Sequence, residues 1–168
     1  FIAYLDSDDY WKKEKLERQI TFMTENRFGA CMTSYETVNE DGSFRNIVHI
    51  DERLDYKKFL KTPPTCSHTI MFDTELVDKK ALVMPDIRKR QDAATWLQVI
   101  KLYGCLHGFD EVLAANRKRS DSLSANKVSA VKGTWFLYTE IEGLSKPYAG
   151  YCLFWQMFHA VLKRIGKR

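Results

Sequence analysis

The feature that most constrains this chain is an apolar segment that runs directly into a cluster of acids, FIAYLDSDDYW, at residues 1–11. Residues 1–5 predict a short strand buried on both faces. Asp6 and Asp8 alternate along extended backbone and therefore point the same way, while Asp9 begins a turn. Crowded carboxylates repel one another unless a positive group lies among them. The simplest such group is a hard divalent cation, held by one or two carboxylates and by substrate phosphates.

A purely structural role for the acids is the main alternative, because Ser7, Asp8 or Asp9 could cap the helix that follows. Capping requires only one such residue, whereas this chain gathers three acids within four positions. Ligand sites in open α/β sheets also lie beyond the carboxyl ends of strands. The cluster therefore favours a cation site over a helix cap.

The alternation of predicted strands and helices indicates an α/β protein. In a helix predicted over residues 11–26, Leu16, Ile20 and Met23 form the stripe expected to be buried. The later predicted elements are a hairpin turning at 41–42, a short helix at 55–61, a strand at 66–72, a helical turn or two at 74–81 capped by Thr74, a helix from Asp92 to Gly104, a strand at 107–119 and mostly helix from about residue 126.

Composition narrows the class of protein further. The four cysteines form no CxxC pair, which argues against zinc and thiol-redox sites and predicts reduced core thiols in a cytoplasmic protein. The net charge of +4 is too small to indicate a nucleic-acid partner. No stretch approaches the ~20 apolar residues that cross a bilayer.

The opening segment, FIAYLDSDDYWKKEKLERQITFM, resembles the metal-binding segment of family 2 glycosyltransferases of the GT-A fold. Members have an apolar strand, a D-x-D or D-x-D-D cluster and then W-x-x-x-K-L-x-x-Q. The match is specific because it extends beyond the acids to Trp11, Lys15, Leu16 and Gln19.

This resemblance implies that Asp6, Asp8 and Asp9 bind a nucleotide-diphosphate sugar, most often a UDP-sugar. Asp8, with Asp6, would hold the Mn²⁺ or Mg²⁺ that bridges to the diphosphate.

A second acid lies in MPDIRKRQDAATWLQVIKLYG. By itself, Asp92 reads as a helix N-cap. The segment is similar to the E/Q-D motif with a downstream aromatic-Leu pair, here Gln91-Asp92 and Trp96-Leu97, that carries the catalytic base of inverting family 2 enzymes. The resemblance implies that Asp92 is the base and that Gln91 and Trp96 lie on the acceptor side. From the residues alone, Trp96 is expected in the core, with stacking on a sugar ring as the alternative. His68 is expected to be a hydrogen-bonded core histidine, with a place in the acceptor pocket as the alternative.

The loop AANRKRSDSLSANK looks like the Y-R-x-x-x-x-S-x-S-x-N-K loop of surface-polysaccharide members, with Asn116 where Tyr is usual. The resemblance implies a donor-binding role for Arg117. It also implies that Ser122, Ser124 and Lys127 face the diphosphate or the acceptor.

The family resemblance implies a partial GT-A fold: a mixed sheet with flanking helices and a helical C-terminal region. Residues 1–125 would be the acceptor-side part and residues 126–168 a helical extension, with the N-terminal nucleoside-binding part outside this chain. The implied activity is inverting transfer of a sugar to a glycan or lipid-linked acceptor, in capsule, teichuronic-acid or O-antigen synthesis. By itself the chain is expected to bind donor weakly and to be inactive.

The aromatic helix at the C-terminus, with its basic ending, leaves two interpretations open. It could contact an anionic membrane surface peripherally, on the inner face of the cell membrane, or pack on another part of the protein. Two other functions also remain as alternatives. A D-x-D-x-T phosphotransferase would require Thr where this chain has Tyr10, and a basic non-catalytic module for nucleic acid or membrane leaves the acids unexplained.

Overall fold

The structure is a computed structural model that describes residues 1–62, 66–118 and 127–164. These residues contain one seven-stranded sheet. Its strands are β1 (Ile2–Ala3), β2 (Tyr10–Trp11), β3 (Ala30–Val38), β4 (Phe44–Val48), β5 (Arg53–Asp55), β6 (Ile70–Phe72) and β7 (Cys105–Arg117). The α-helices are α1 (Lys15–Asn26), α2 (Tyr56–Lys61), α3 (Gln91–Tyr103), α4 (Lys127–Phe136) and α5 (Lys146–Arg164). Within the described ranges, none of the helices combines the length and apolarity needed to cross a bilayer.

The sheet is mixed, as predicted. Its strand order is β1-β6-β3-β7-β2, with β4 added to β3 and β5 to β7. The long central strands β3 and β7 are parallel, and the other pairings are antiparallel. Because β1 and β3 both run antiparallel to β6, the strands β1, β3 and β7 all point the same way. Their carboxyl ends therefore meet at one edge of the sheet, which carries the acid cluster and Arg117.

The main core lies between the sheet and α3. Trp96 is fully buried there, with its ring 5.3 Å from Tyr4 and 5.2 Å from Phe72. Tyr138 and Cys152, from the C-terminal helical region, belong to the same hydrophobic cluster. The helices after residue 126 thus pack on the same core as the sheet.

Several sequence predictions are confirmed. The hairpin joins β3 to β4 through Gly42, whose φ of 85° is a conformation that glycine adopts freely. α3 ends at Gly104, with φ of 97°. All four cysteines are free; three are buried and Cys66 is half-buried.

Three local predictions were wrong. The first strand is only two residues long, and Phe1 and Leu5 are exposed rather than buried, because β1 is an edge strand that pairs only with β6 in the described part of the sheet. Residues 67–69 form a 3₁₀ turn before β6, so His68 does not lie in a strand. In residues 74–81 the regular structure is limited to a 3₁₀ turn at Lys79–Leu82, and the carboxylate of Asp73, not Thr74, accepts the backbone N–H of Glu75.

The buried face of α1 also differs from the predicted stripe. Met23 is buried as expected, but Leu16 is exposed, and Lys15 and Gln19 are fully buried. Gln19 Nε2 donates to the carbonyls of Cys31 and Thr69, and Gln19 Oε1 accepts from Lys15 Nζ at 2.6 Å. The helix turns a polar face inward because the strands offer these polar groups hydrogen-bond partners.

Lys15 makes the stability of the protein depend on pH. Burial lowers its pKa to about 8, whereas the unfolded ammonium has a pKa near ~10.4. Between these values the unfolded chain holds a proton that the folded protein lacks, so the free energy of unfolding rises with pH. The test is the difference in free energy of unfolding between the unmodified protein and Lys15→Met, measured by urea titration. We expect this difference to shift by about 2 kcal/mol in favour of the unmodified protein from about pH 7 to about pH 10.

The matched control is Lys13→Met, because Lys13 lies on the exposed side of the same helix entrance. The difference between this variant and the unmodified protein should stay constant over the same pH range. A constant difference for Lys15→Met as well would contradict the assignment.

Candidate active site

The acid cluster occupies a tight turn between β1 and β2. The backbone N–H of Asp9 donates to the carbonyl of Asp6 at 3.1 Å, and the next two residues pair with β7. The turn leaves Asp6 exposed and Asp8 half-buried. Neither of these two carboxylates makes a hydrogen bond or ion pair with the described residues, so both are available to a ligand.

Asp9 is different, because its carboxylate is buried and has several protein partners. Oδ2 lies 2.7 Å from Nδ1 of His68, and both side chains are nearly inaccessible. Asn116 Nδ2 donates to the same carboxylate, and the backbone N–H of Arg117 donates to Oδ1 at 2.9 Å. Burial alone would raise the pKa of Asp9, but the contact with His68 and the donors at the end of β7 hold it below its usual value.

His68 is itself fixed by the residues that make the opening motif specific. Trp11 Nε1 donates to the carbonyl of His68 at 2.7 Å, and Gln19 Nε2 donates to that of Thr69. The Trp11 ring lies under Lys15 Nζ, 4.5 Å from the ring centre. The tryptophan, lysine and glutamine of the motif therefore hold the 3₁₀ turn that presents His68 to Asp9.

The pKa of Asp6 indicates that the acid cluster and Asp92 lie near each other. Partial burial raises the pKa of Asp6. The negative charges of Asp9, Asp8 and Asp92 raise it further, while the charge of His68 acts in the opposite direction. Asp92 lies more than eighty positions along the chain from the cluster, so this coupling is a product of the fold.

Asp92 is the second residue of α3 and is half-buried. Its Oδ1 accepts the backbone N–H of Ala93 at 2.7 Å. Arg90, just before the helix, adopts a left-handed conformation with φ of 67°, which turns the chain into α3. The positive end of the helix dipole favours a carboxylate at this position.

The other residues predicted for the site fall into two groups. Gln91 and Arg117 are exposed, Gln91 beside Asp92 at the start of α3 and Arg117 at the edge of the sheet that carries the acids. Trp96 and His68 have no accessible surface, so their side chains lie beneath the site and not on its surface. Ser122 and Ser124 lie outside the described residues, as does the side chain of Lys127.

The donor set of the acid turn fits a divalent cation that is completed by substrate oxygens. Among the described residues, no three His, Cys, Asp or Glu side chains are arranged to hold a metal ion by themselves. Asp9 is engaged by His68, which leaves Asp6 and Asp8 as two oxygen donors. Mg²⁺ is commonly bound by one or two carboxylates together with phosphate oxygens, and this pair matches that pattern.

Two residues that contribute to the site were not predicted from the sequence. Asn116, noted only as a departure from the usual Tyr, donates to Asp9 because the pairing of β2 with β7 sets it beside that carboxylate. Tyr4 packs on Trp96 and so connects the acid turn to α3. A single sequence carries no signal for either contact, since both depend on strand register.

Comparison with known proteins identifies the class. The model of glycosyl transferase family 2 matches residues 1–80. A solved structure of Staphylococcus aureus TarS (residues 1–349, in complex with UDP) aligns with a TM-score of 0.53 at 16% identity, covering 90% of this chain and 44% of that one. This likeness supports the GT-A type of fold.

Two curated relatives narrow the family. The chain is 40% identical, over 98% of its length, to the putative teichuronic acid biosynthesis glycosyltransferase TuaG of Bacillus subtilis (strain 168), and spans 65% of that protein. It is 30% identical, over 80% of its length, to the UDP-Glc:alpha-D-GlcNAc-diphosphoundecaprenol beta-1,3-glucosyltransferase WfgD of Escherichia coli, and spans 52% of it. The chain therefore belongs to glycosyltransferase family 2. It spans about half to two thirds of the length of these two relatives.

The buried His68–Asp9 contact leads to a stability prediction. His68→Leu leaves a buried carboxylate without its nearest partner, and we expect the free energy of unfolding to fall by about 3 kcal/mol. His68→Asn should lose less, because its amide can still donate from near the position of Nδ1. Urea titration near neutral pH measures both variants.

An exposed pair of the same kind provides the control. His49 Nδ1 lies 2.8 Å from Asp110 Oδ1, but the two side chains are 57% and 58% exposed. We expect His49→Leu to lower the free energy of unfolding by less than about 1 kcal/mol. Equal losses for His49→Leu and His68→Leu would contradict a special role of the buried contact.

Proposed function

We propose that the protein containing this chain transfers a sugar from a nucleotide-diphosphate sugar to an acceptor hydroxyl, with inversion at the anomeric carbon. The observation that carries the proposal is that the carboxylates of Asp6 and Asp8 have no partner among the described residues, while Asp92 lies near enough for its charge to raise the pKa of Asp6. This arrangement supports one site with donor-binding carboxylates at one end and a separate carboxylate base at the other. Two acids with different tasks in one cleft suit this reaction.

In the proposed reaction, Asp92 accepts the proton of the acceptor hydroxyl as its oxygen attacks the anomeric carbon. The bond from that carbon to the diphosphate breaks, and its electron pair leaves with the diphosphate. Asp92 suits this role because it is half-buried, and among the described residues it makes no ion pair that would compete for the proton. Gln91, exposed beside it, would orient the acceptor.

The leaving diphosphate needs positive charge. A bound Mn²⁺ or Mg²⁺ would supply that charge, and Asp8 with Asp6 would hold the ion. Arg117 is exposed at the end of β7, and its backbone N–H donates to Asp9. We assign its guanidinium to the donor phosphates. Asp9, His68 and Trp96 are buried, so we assign them positioning roles beneath the substrates in place of direct contact.

The relatives suggest which substrates are used. WfgD is named as taking glucose from UDP-Glc to a diphosphoundecaprenol-linked sugar, and TuaG is named for teichuronic acid biosynthesis. We extend a UDP-sugar donor and a glycan or lipid-linked acceptor to this protein, with capsule or a similar surface polysaccharide as the product class. A cytoplasmic location, with peripheral contact at the inner face of the membrane, follows from these substrates.

Asp92→Asn tests the base. In the intact enzyme we expect kcat to fall by roughly 10³-fold, because the amide cannot accept the acceptor proton, with donor affinity unchanged. Steady-state kinetics and calorimetry with UDP measure the two effects. Asp86→Asn, which changes an exposed acid shortly before α3, should leave both unchanged. Retained turnover in Asp92→Asn would remove Asp92 from the base role.

Asp8→Asn tests the metal site. We expect the variant to need at least tenfold more Mn²⁺ for half-maximal activity, because one of two anionic oxygen ligands becomes neutral. Removal of divalent ions with EDTA should abolish transfer by the unmodified enzyme, and added Mn²⁺ or Mg²⁺ should restore it. Full activity in EDTA would overturn the proposed cation requirement.

A further inference from the structure

The helix α5 presents an apolar face to solvent. Its inward face, which includes Ala149, Cys152, Leu153 and Gln156, packs on the core. Its outward face is also apolar, and we call it the aromatic face of α5; it comprises Tyr148, Tyr151, Phe154, Met157, Phe158 and Val161. Phe154 is 58% exposed and Val161 is 53% exposed. A helix that is apolar on both sides requires cover on its outer side as well.

Two polar side chains in the middle of α5, Gln156 and His159, point toward the protein. Gln156 Nε2 donates to the carbonyl of Thr62 at 3.2 Å, and His159 Nδ1 lies 2.8 Å from the carbonyl of Lys61. The rings on the outer side contact one another along the helix, with Trp155 5.6 Å from Phe158 and 6.3 Å from Tyr151. The outer side is thus a continuous aromatic surface. Its only side-chain hydrogen-bonding groups among the described residues 147–162 are the Tyr hydroxyls and the indole N–H of Trp155.

The charges around this helix indicate what covers it. From residue 143 to residue 168 the sequence has five basic residues and no acidic one. Residues 1–142 carry 21 basic and 22 acidic residues, so the net positive charge of the chain comes from this C-terminal part. Lys146 lies at one end of the aromatic face and Lys163 and Arg164 follow the other end in sequence, while the sixteen residues from 147 to 162 contain no Asp, Glu, Lys or Arg.

We propose that the aromatic face of α5 docks on an anionic lipid surface, with the helix lying in the plane of the interface. Tyr and Trp rings favour the level of the lipid headgroups, and basic residues beside an apolar face add attraction to anionic lipids. A second copy or another protein would account for the apolar surface. It would not account for the absence of acids next to five basic residues.

This inference rests on the proposed function in one respect: a lipid-linked acceptor gives the enzyme a reason to work at a membrane. Docking would bring the site to the acceptor headgroup. Binding to lipid is measured without donor or acceptor, so its result is independent of whether the transfer reaction is correctly assigned.

The test is flotation of the intact protein with vesicles of phosphatidylcholine, with or without about 30% phosphatidylglycerol. We expect the protein to float with the anionic vesicles at about 0.1 M salt, and to bind neutral vesicles roughly tenfold more weakly. The double variant Phe154→Ser/Phe158→Ser should reduce binding to anionic vesicles by about tenfold or more. Both side chains are exposed, so its thermal unfolding should match that of the unmodified protein.

The matched control is Phe44→Ser/Val83→Ser, which removes two apolar side chains that are 60% and 67% exposed elsewhere on the surface. This control should float like the unmodified protein. Failure of the unmodified protein to float, or equal flotation of both double variants, would overturn the proposal. So would sedimentation showing a dimer that Phe154→Ser/Phe158→Ser dissociates, because a second copy would then cover the face.

Discussion

The site depends on the buried contact between Asp9 and His68. It joins three stretches that are distant in sequence: the turn after β1, the 3₁₀ turn before β6 and, through Asn116 and the N–H of Arg117, the end of β7. A carboxylate with almost no access to water is tolerable only with such partners. Because β1 and β2 are two residues long, their own pairing constrains the turn weakly. The contacts of Asp9 with His68, Asn116 and Arg117 therefore determine where Asp6 and Asp8 point.

The D-x-D-D cluster thus divides into two functions. Its last acid is used inside the protein, and the carboxylates of its first two have no partner among the described residues. The same division explains why the motif continues into W-x-x-x-K-L-x-x-Q. Trp11 and Gln19 donate to the backbone of the turn that carries His68, and so they hold the partner of Asp9 in place. Several positions of the motif, such as Trp11 and Gln19, therefore hold the acids in place by structural contacts.

The sequence predicts well what local chemistry determines. The hairpin at Gly42, the end of α3 at Gly104 and the turn that holds the acids after β1 all follow from short-range conformational preferences. The partners of Asp9 could not be predicted, because Asn116 reaches it only through the register of β2 against β7, and His68 only because residues 67–69 leave the strand geometry. The predicted buried face of α1 was wrong for a related reason. Periodicity assigns Leu16 to the core, but the carbonyls of Cys31 and Thr69 make burial of Gln19 favourable.

Core packing links the two ends of the site. Tyr4 lies two residues before Asp6, and its ring packs edge-on against Trp96, one turn after Asp92 on α3. Trp96 also contacts Phe72, which pairs with both β1 and β3. In the proposed reaction, the base Asp92 and the cation site must keep a fixed separation to act on the same sugar. Here the ring contacts of Tyr4, Trp96 and Phe72 connect β1 to α3 through the main core, and protein interiors are close-packed. Trp96, predicted for the acceptor side, is a core residue with no accessible surface.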